Sequence, residues 1–247
     1  MNKLPLHLLP FFFLISLPIS IEKHSHIDDS LVAYYSFDNC DARDDSGMGS
    51  DGKLFGTVEC WCGVKDDGLL LDGVNDYIEF QGRINKYFNT SDFTISFYYR
   101  PTGASVYKQS LLSKRTNCDE ENMLDIQVWP NSLDVDFHET DWKDFEGISA
   151  DTYGQAWHHY TLVRKGIRAY SYINGQMVSE SRRCSGVNIS NETPLSIGNS
   201  PCVGGTLRRF KGVIDELRIY DRALEQREVL QLYLENPIEK AQQDCFS

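Results

Sequence analysis

No apolar run long enough to cross a membrane follows the first twenty residues of this 247-residue chain. The chain also lacks the short motifs of several enzyme classes. There is no G-x-S-x-G nucleophile turn, no H-E-x-x-H among the six histidines, and no glycine-rich phosphate loop, since Gly204-Gly205 is followed by no helix. C-x-x-C is missing. Cys60-Trp61-Cys62 is a C-x-C step, and no second pair stands at zinc spacing. Basic residues are scarce: Lys+Arg total 24 against 36 Asp+Glu, a formal net charge of −12. That charge repels phosphate backbones and anionic membrane surfaces, so nucleic acid is a poor partner. No Gly/Ser/Pro linker, low-complexity tract or internal repeat divides the chain, which points to one domain.

The first twenty residues read as a secretory signal. Met1-Asn2-Lys3 is a charged start, Leu4 to Ile19 is almost wholly apolar, and Ser20 is a small residue at the cut. Pro5, Pro10, Pro18 and His7 break the run, which is too short for a comfortable span. The expectation is a secreted or extracellular protein, periplasmic in a bacterium, with residues 21–247 as a single domain whose core runs over about 31–235. All seven cysteines lie in that part, and export makes disulfides their expected state. Seven is odd, so at least one thiol is free or joins another chain.

Alternation at period 2 dominates the pattern. Leu31, Ala33, Tyr35 and Phe37 alternate, as do the residues of Phe93-Thr-Ile-Ser-Phe97. Leu124, Ile126 and Val128 interleave with Asp125 and Gln127; Leu133, Val135 and Phe137 interleave with Asp134, Asp136 and His138. This marks half-buried antiparallel strands. Asn174-Gly175 between Tyr172-Ile173 and Met177-Val178 is a strong hairpin signal. Asp72-Gly73 and Pro130-Asn131-Ser132 separate other runs. One helix is predicted, from about Glu225 to Glu235, stopped by Asn236-Pro237. The fold class is all-β: a sandwich or jelly roll of two antiparallel sheets with one short C-terminal helix.

Five ordered segments carry a resemblance. They are Leu31-Val-Ala-Tyr-Tyr-Ser-Phe-Asp38 with Asp45-Ser-Gly-Met-Gly-Ser-Asp-Gly52; Leu69-Leu-Leu-Asp-Gly-Val-Asn-Asp-Tyr-Ile-Glu79; Phe93-Thr-Ile-Ser-Phe-Tyr-Tyr-Arg-Pro101; Trp157-His-His-Tyr-Thr-Leu-Val163 with Tyr172-Ile-Asn-Gly175; and Phe210 through Leu224. Together they resemble laminin-G-like jelly rolls of the concanavalin A-like type, over about Leu31 to Tyr233. The motifs are specific for the fold and not for a ligand, because this fold hosts lectins, glycan hydrolases, adhesion modules and spacers. The resemblance implies a structural calcium, with an aspartate at the position of Asp215, Asp45 at a family-matched position and Asp38 in the acidic loop Asp38–Asp45. Strict period 2 through Val213–Ile219 places Asp215 on the core face, where a carboxylate needs a cation or several donors. The other reading of Asp215 is a partner arginine or a cap on backbone amides. The family-like opening also implies a Cys40–Cys60 bridge around the Asp45 loop, and similar members imply that Cys118 meets Cys202. Cys62, Cys184 and Cys245 are left over. Cys62 meets Cys245 only where the C-terminal tail folds back.

Asp134-Val-Asp-Phe-His-Glu139 invites an enzymatic alternative, because retaining β-glucanases of this fold carry E-x-D-x-x-E on one strand. Here Asp134 is one methylene short of a glutamate, and the plainer reading is the polar face of an alternating strand. Tyr98, Tyr99, Trp129, Trp142, Tyr153 and Trp157 include the candidates for a sugar-stacking platform. Trp142, in the polar loop 139–144, is the one expected to contact ligand. His158 and His159 face opposite ways, with no nucleophile motif beside them. Asn89-Thr-Ser91, Asn188-Ile-Ser190 and Asn191-Glu-Thr193 are glycosylation sequons. The leading reading is a secreted, non-catalytic module that binds a glycan or an extracellular protein and is braced by calcium. A β-glycan hydrolase using Asp134 and Glu139 is the alternative, and an adhesion or structural domain without a small ligand is the third reading.

Overall fold

The structure is a computed structural model that describes residues 27–103, 105–182, 186–205, 207–241 and 245. The expected leader, residues 1–20, and Cys184 lie outside the described residues. Among those described, seventeen strands form two sheets of eight and nine strands. The first sheet runs in the order Gln176–Glu180, Arg168–Ile173, His158–Lys165, Phe93–Pro101, Lys211–Tyr220, Asp67–Asp72, Glu59–Cys62, with Leu31–Tyr35 also on Lys211–Tyr220. The second contains Ser132–Thr140, Met123–Trp129, Gln109–Lys114, Leu195–Ile197, Tyr77–Phe80 and Gly52–Phe55 in that order, with short strands at its margins. Consecutive hairpins at the sheet ends, such as His158–Lys165 with Arg168–Ile173, join central neighbours from distant parts of the chain, such as Phe93–Pro101 with Lys211–Tyr220, as in a jelly roll. The inner faces supply one core, including Tyr35, Leu69, Phe97, Leu162 and Ile214 from the first sheet and Phe80, Leu112, Ile126, Val135 and Ile197 from the second.

Local chemistry sets several elements as expected. Asn174 and Gly175 both take positive φ, 50° and 75°, and join two paired strands of the first sheet. Trp129 pairs with Ser132 across the Pro130-Asn131 turn. Asp72-Gly73 does a different job: it ends a strand of the first sheet, and Tyr77–Phe80 belongs to the second. The helix occupies Gln226–Glu235 and opens with a capping box between Glu225 and Glu228. It buries Val229, Leu232 and Tyr233 on the outer face of the first sheet, against Val163, Tyr172, Tyr220, Tyr98, Trp157 and Val213. No helix among the described residues is long and apolar enough to cross a membrane.

Among the described residues three disulfides are formed: Cys40–Cys60, Cys118–Cys202 and Cys62–Cys245. The third shows that the tail does fold back across the outer face, next to the helix. It closes a separation of 183 residues.

The strand Lys211–Tyr220 departs from the expected alternation. Asp215 pairs with Tyr98 and Arg218 with Ser96, so Glu216 and Leu217 together oppose the single residue Phe97. This β-bulge, with Glu216 at φ 51°, exchanges the two faces. Ile214, Leu217 and Ile219 enter the core, while Val213 joins the cluster beneath the helix and tail. Asp215 is therefore on the outer side of the first sheet, not in the sandwich core, though it is fully buried there.

Candidate functional site

The expected calcium carboxylates are not brought together as a set. Among the described residues, Asp38, Asp45 and Asp215 do not place three oxygens within 4.8 Å of one another. Asp215 Oδ2 accepts the N–H groups of Val64 (2.7 Å) and Lys65 (3.2 Å), and Oδ1 accepts that of Glu216 (2.8 Å). It caps backbone amides, and Gly63 is required beside it, because a Cβ there would come within 2.3 Å of Oδ2. Burial pushes its carboxyl up, and the neighbouring Glu216 charge adds to this. Asp45 Oδ2 accepts the N–H (3.1 Å) and hydroxyl (2.7 Å) of Ser36. Asp38 Oδ1 is buried without a hydrogen-bond partner among the described residues. The three do not fit a shared calcium cage of six to eight oxygens. Cys40, Cys60 and Asp67 do gather, but those two sulfurs are bonded to each other.

Asp134 and Glu139 do not form a hydrolase pair either. Pairing with Met123–Trp129 runs unbroken from Ser132 to His138. Period 2 then sets Asp134, Asp136 and His138 on one face, and the odd spacing sends Glu139 to the other. Each has a different partner. Asp134 meets Lys108 Nζ at 2.7 Å. Glu139 meets Lys143 Nζ at 2.7 Å and accepts the Asn188 N–H at 2.7 Å. The Lys143 contact holds the Glu139 carboxyl below the usual range, opposite to what a general acid needs. His158 and His159 are both buried. His159 Nε2 lies 2.7 Å from Ser96 Oγ, and burial keeps its ring neutral, with a pKa lowered to about 3.

The aromatics divide cleanly. Tyr98, Tyr99 and Trp157 are core, while Trp129, Trp142 and Tyr153 are exposed. Trp142 is 87% exposed on its turn. Trp129 stands at the end of its strand beside a cleft of about 240 Å³. Three loops meet there: the one after Pro101, the Pro130-Asn131 turn, and the one that carries Gly154. Thr152 N–H donates to Asn131 O at 3.2 Å, which ties two of the loops, and Thr102 N–H donates to Lys211 O at 3.1 Å, which anchors the third to the strand Lys211–Tyr220. Pro101, Val128, Trp129 and Pro130 give apolar walls, and Ser105, Gln109, Asn131 and Gln155 give neutral polar groups. None of the described residues that line it carries a charge. The nearest cation on the Trp129 ring is Lys108 Nζ, 5.5 Å from its centroid and already paired with Asp134. An apolar cleft with a few neutral donors and acceptors and one accessible indole matches the general make-up of small-ligand sites.

Behind the cleft lies the polar outer face of the second sheet. Gln127 Nε2 donates to Asp136 Oδ2 at 3.0 Å, and Arg115 Nη1 lies 3.0 Å from Asp125 Oδ2. Burial pushes Asp125 from 3.8 up to about 7, against the pull of Arg115, and the charge of Asp136 adds to the rise. The folded state therefore holds this proton more tightly than the unfolded chain. The stability it contributes is complete below pH 3.8 and is lost as pH rises through about 7. Melting curves from pH 4 to 7 should show the wild type losing ground to Asp125→Asn, whose profile lacks this component. Parallel profiles would show that Asp125 does not titrate in this window.

Residues 72–230 match the Laminin_G_3 family, described as the concanavalin A-like lectin/glucanases superfamily, and the chain belongs to it. Among solved structures, the binding domain of Paraclostridial Mosquitocidal Protein 1 is similar at TM-score 0.67 and 21% identity, over 84% of this chain and 52% of that one. Domain 4 of AbnA, a GH43 extracellular arabinanase from Geobacillus stearothermophilus, solved with arabinotriose, is similar at TM-score 0.62 and 21% identity, over 83% of this chain and 98% of that one. The binding domain of botulinum neurotoxin DC, solved with rat synaptotagmin II, gives TM-score 0.65 and 14% identity, over 85% and 52%. The chain thus spans about half the length of the toxin binding domains it matches. At these identities the likeness is one of fold. No curated protein sequence matches the chain.

Proposed function

We propose that this protein is an exported, non-catalytic module that binds an uncharged sugar unit of a glycan in the cleft beside Trp129. The observation that carries the reading is the half-exposed indole on a cleft lined by side-chain amides and no charge. Sugar faces stack on aromatic rings through their C–H groups, and amides pair with hydroxyls as both donor and acceptor. With a net charge of −12 overall, no cation lining the cleft among the described residues, and Lys108 beside the indole paired with Asp134, the site favours an uncharged sugar over a carboxylated one. That one similar fold was solved with arabinotriose supports a glycan as the class of ligand. A glycan array probed with the folded protein should show signal on neutral oligosaccharides. Trp129→Ala should cut affinity roughly tenfold or more, the usual cost of removing an aromatic anchor. Equal binding by Trp129→Ala would remove the cleft from the function.

A protein ligand is the second reading, favoured by Val106 and Tyr107, 82% and 50% exposed on the loop that borders the cleft. Such a ligand would bind the purified protein while the array stays blank. No carboxylate lines the cleft among the described residues, so glycan binding should be unchanged by chelation of calcium. Hydrolysis of β-glucans is not expected, and turnover that disappears in Glu139→Gln would overturn the non-catalytic reading.

A further inference from the structure

The three sequons sit in different surroundings. Asn188 Oδ1 accepts both the N–H (3.0 Å) and the hydroxyl (2.7 Å) of Ser190, and its Nδ2 makes no hydrogen bond among the described residues. Asn89 is similar: Oδ1 accepts the Ser91 N–H at 2.6 Å, and Nδ2 has only a long, exposed contact of 3.5 Å to Lys86 O. In both, the residue is half-buried, and the amide nitrogen that would carry a sugar makes no hydrogen bond shorter than 3.5 Å among the described residues.

Asn191 is the opposite case. Its Nδ2 is ringed by three carbonyl oxygens from separate segments: Asn122 (2.8 Å), Ile189 (3.3 Å) and Lys114 (3.4 Å). Its Oδ1 and backbone O accept from Lys114 Nζ at 2.9 and 2.8 Å, and Thr193 O accepts from the same ammonium at 2.5 Å. Lys114 is fully buried, so these oxygens replace its water. The sequon hydroxyl is also diverted, since Thr193 Oγ1 lies 2.9 Å from Thr116 Oγ1. A sugar on Nδ2 would replace an amide hydrogen inside this ring and hold the loop off the buried ammonium.

From this contrast we infer that Asn89 and Asn188 carry N-linked oligosaccharides in the exported, folded protein and that Asn191 stays bare. The donor is a lipid-linked pyrophosphoryl oligosaccharide. Its anomeric carbon bonds to Nδ2, the sugar–phosphate bond breaks, lipid pyrophosphate leaves, and the amide gives up one proton. A chain modified at Asn191 before folding could not close the clasp on Lys114 and would be lost from the folded fraction.

The test is glycan mapping of the full-length protein secreted from cultured eukaryotic cells. Enzymatic deglycosylation converts each occupied asparagine to aspartate, and fragment sequencing separates Asn188 from Asn191. Aspartate at 89 and 188 with asparagine at 191 is expected. A glycan on Asn191 in the folded, secreted protein overturns the inference, and so does a bare Asn89 or Asn188. Asn188→Gln removes any competition between the adjacent sequons. Asn191 should remain bare in that variant, and occupation of it there counts against the clasp. Asn191→Gln should lower the melting temperature by about 5 °C through the loss of the clasp, and an unchanged melting temperature overturns the structural half of the argument.

Discussion

Asp215→Ala should be among the most damaging single substitutions in the chain. It strips acceptors from the N–H groups of Val64, Lys65 and Glu216, the last of these bonds fully buried and the other two part-buried. Each orphaned donor costs about 1–3 kcal/mol, and relief from burying the carboxyl returns part of that, leaving a loss of about 3 kcal/mol. Asp215→Asn keeps one oxygen for the 63–65 turn and should lose about half as much. Urea denaturation measures both. The alanine variant tests the cap directly, because its defect should be the same with and without calcium. A defect that appears only in calcium-loaded protein would instead make Asp215 a metal ligand. An alanine variant as stable as the wild type would show that the bulge needs no cap.

Truncation before Leu224 should abolish the soluble monomer. Leu224, Val229, Leu232 and Tyr233 are buried on the outer face of the first sheet. At roughly 1.5–3 kcal/mol per side chain, their removal forfeits at least about 6 kcal/mol, comparable with the whole stability of an ordinary domain. It also takes away Cys245, leaving Cys62 unpaired, and uncovers Tyr98, Trp157 and Val213. Size-exclusion chromatography should show aggregate. Leu232→Asp, which keeps the disulfide, should fail in the same direction. A monodisperse, folded truncation would make the helix and tail dispensable.

Much of the architecture is legible in the sequence because it is local. Alternation at 124–128 and 133–137, Asn-Gly at the hairpin, and the periodic stretch before Asn236-Pro237 each name their element. The Cys40–Cys60 and Cys118–Cys202 pairs came from family likeness, and no local pattern would give them. The bulge at Asp215–Glu216 was not legible, since one extra residue leaves no mark in an apolar–polar pattern, yet it moves Asp215 to the other side of the sheet. The parity of Asp134 and Glu139 was readable, because an odd spacing on a regular strand separates their faces. So was part of the cleft: alternation that buries Leu124, Ile126 and Val128 turns Trp129 outward with Asp125 and Gln127. Trp142 is marked out by its polar loop, and the structure leaves it 87% exposed on that turn. Gln109, Asn131 and Gln155 gave no signal, because only the folded chain brings their three segments to one end of the sandwich.

The central claim is that the Trp129 cleft takes an uncharged sugar. A titration of isotopically labelled protein with neutral trisaccharides, arabinotriose among them, followed at the indole N–H resonances, tests it most directly. The account predicts that the Trp129 signal shifts in a saturable manner for at least one neutral trisaccharide, with the Trp142 signal unmoved and a sialylated trisaccharide without effect. Saturable binding that shifts Trp142 and leaves Trp129 in place would contradict it.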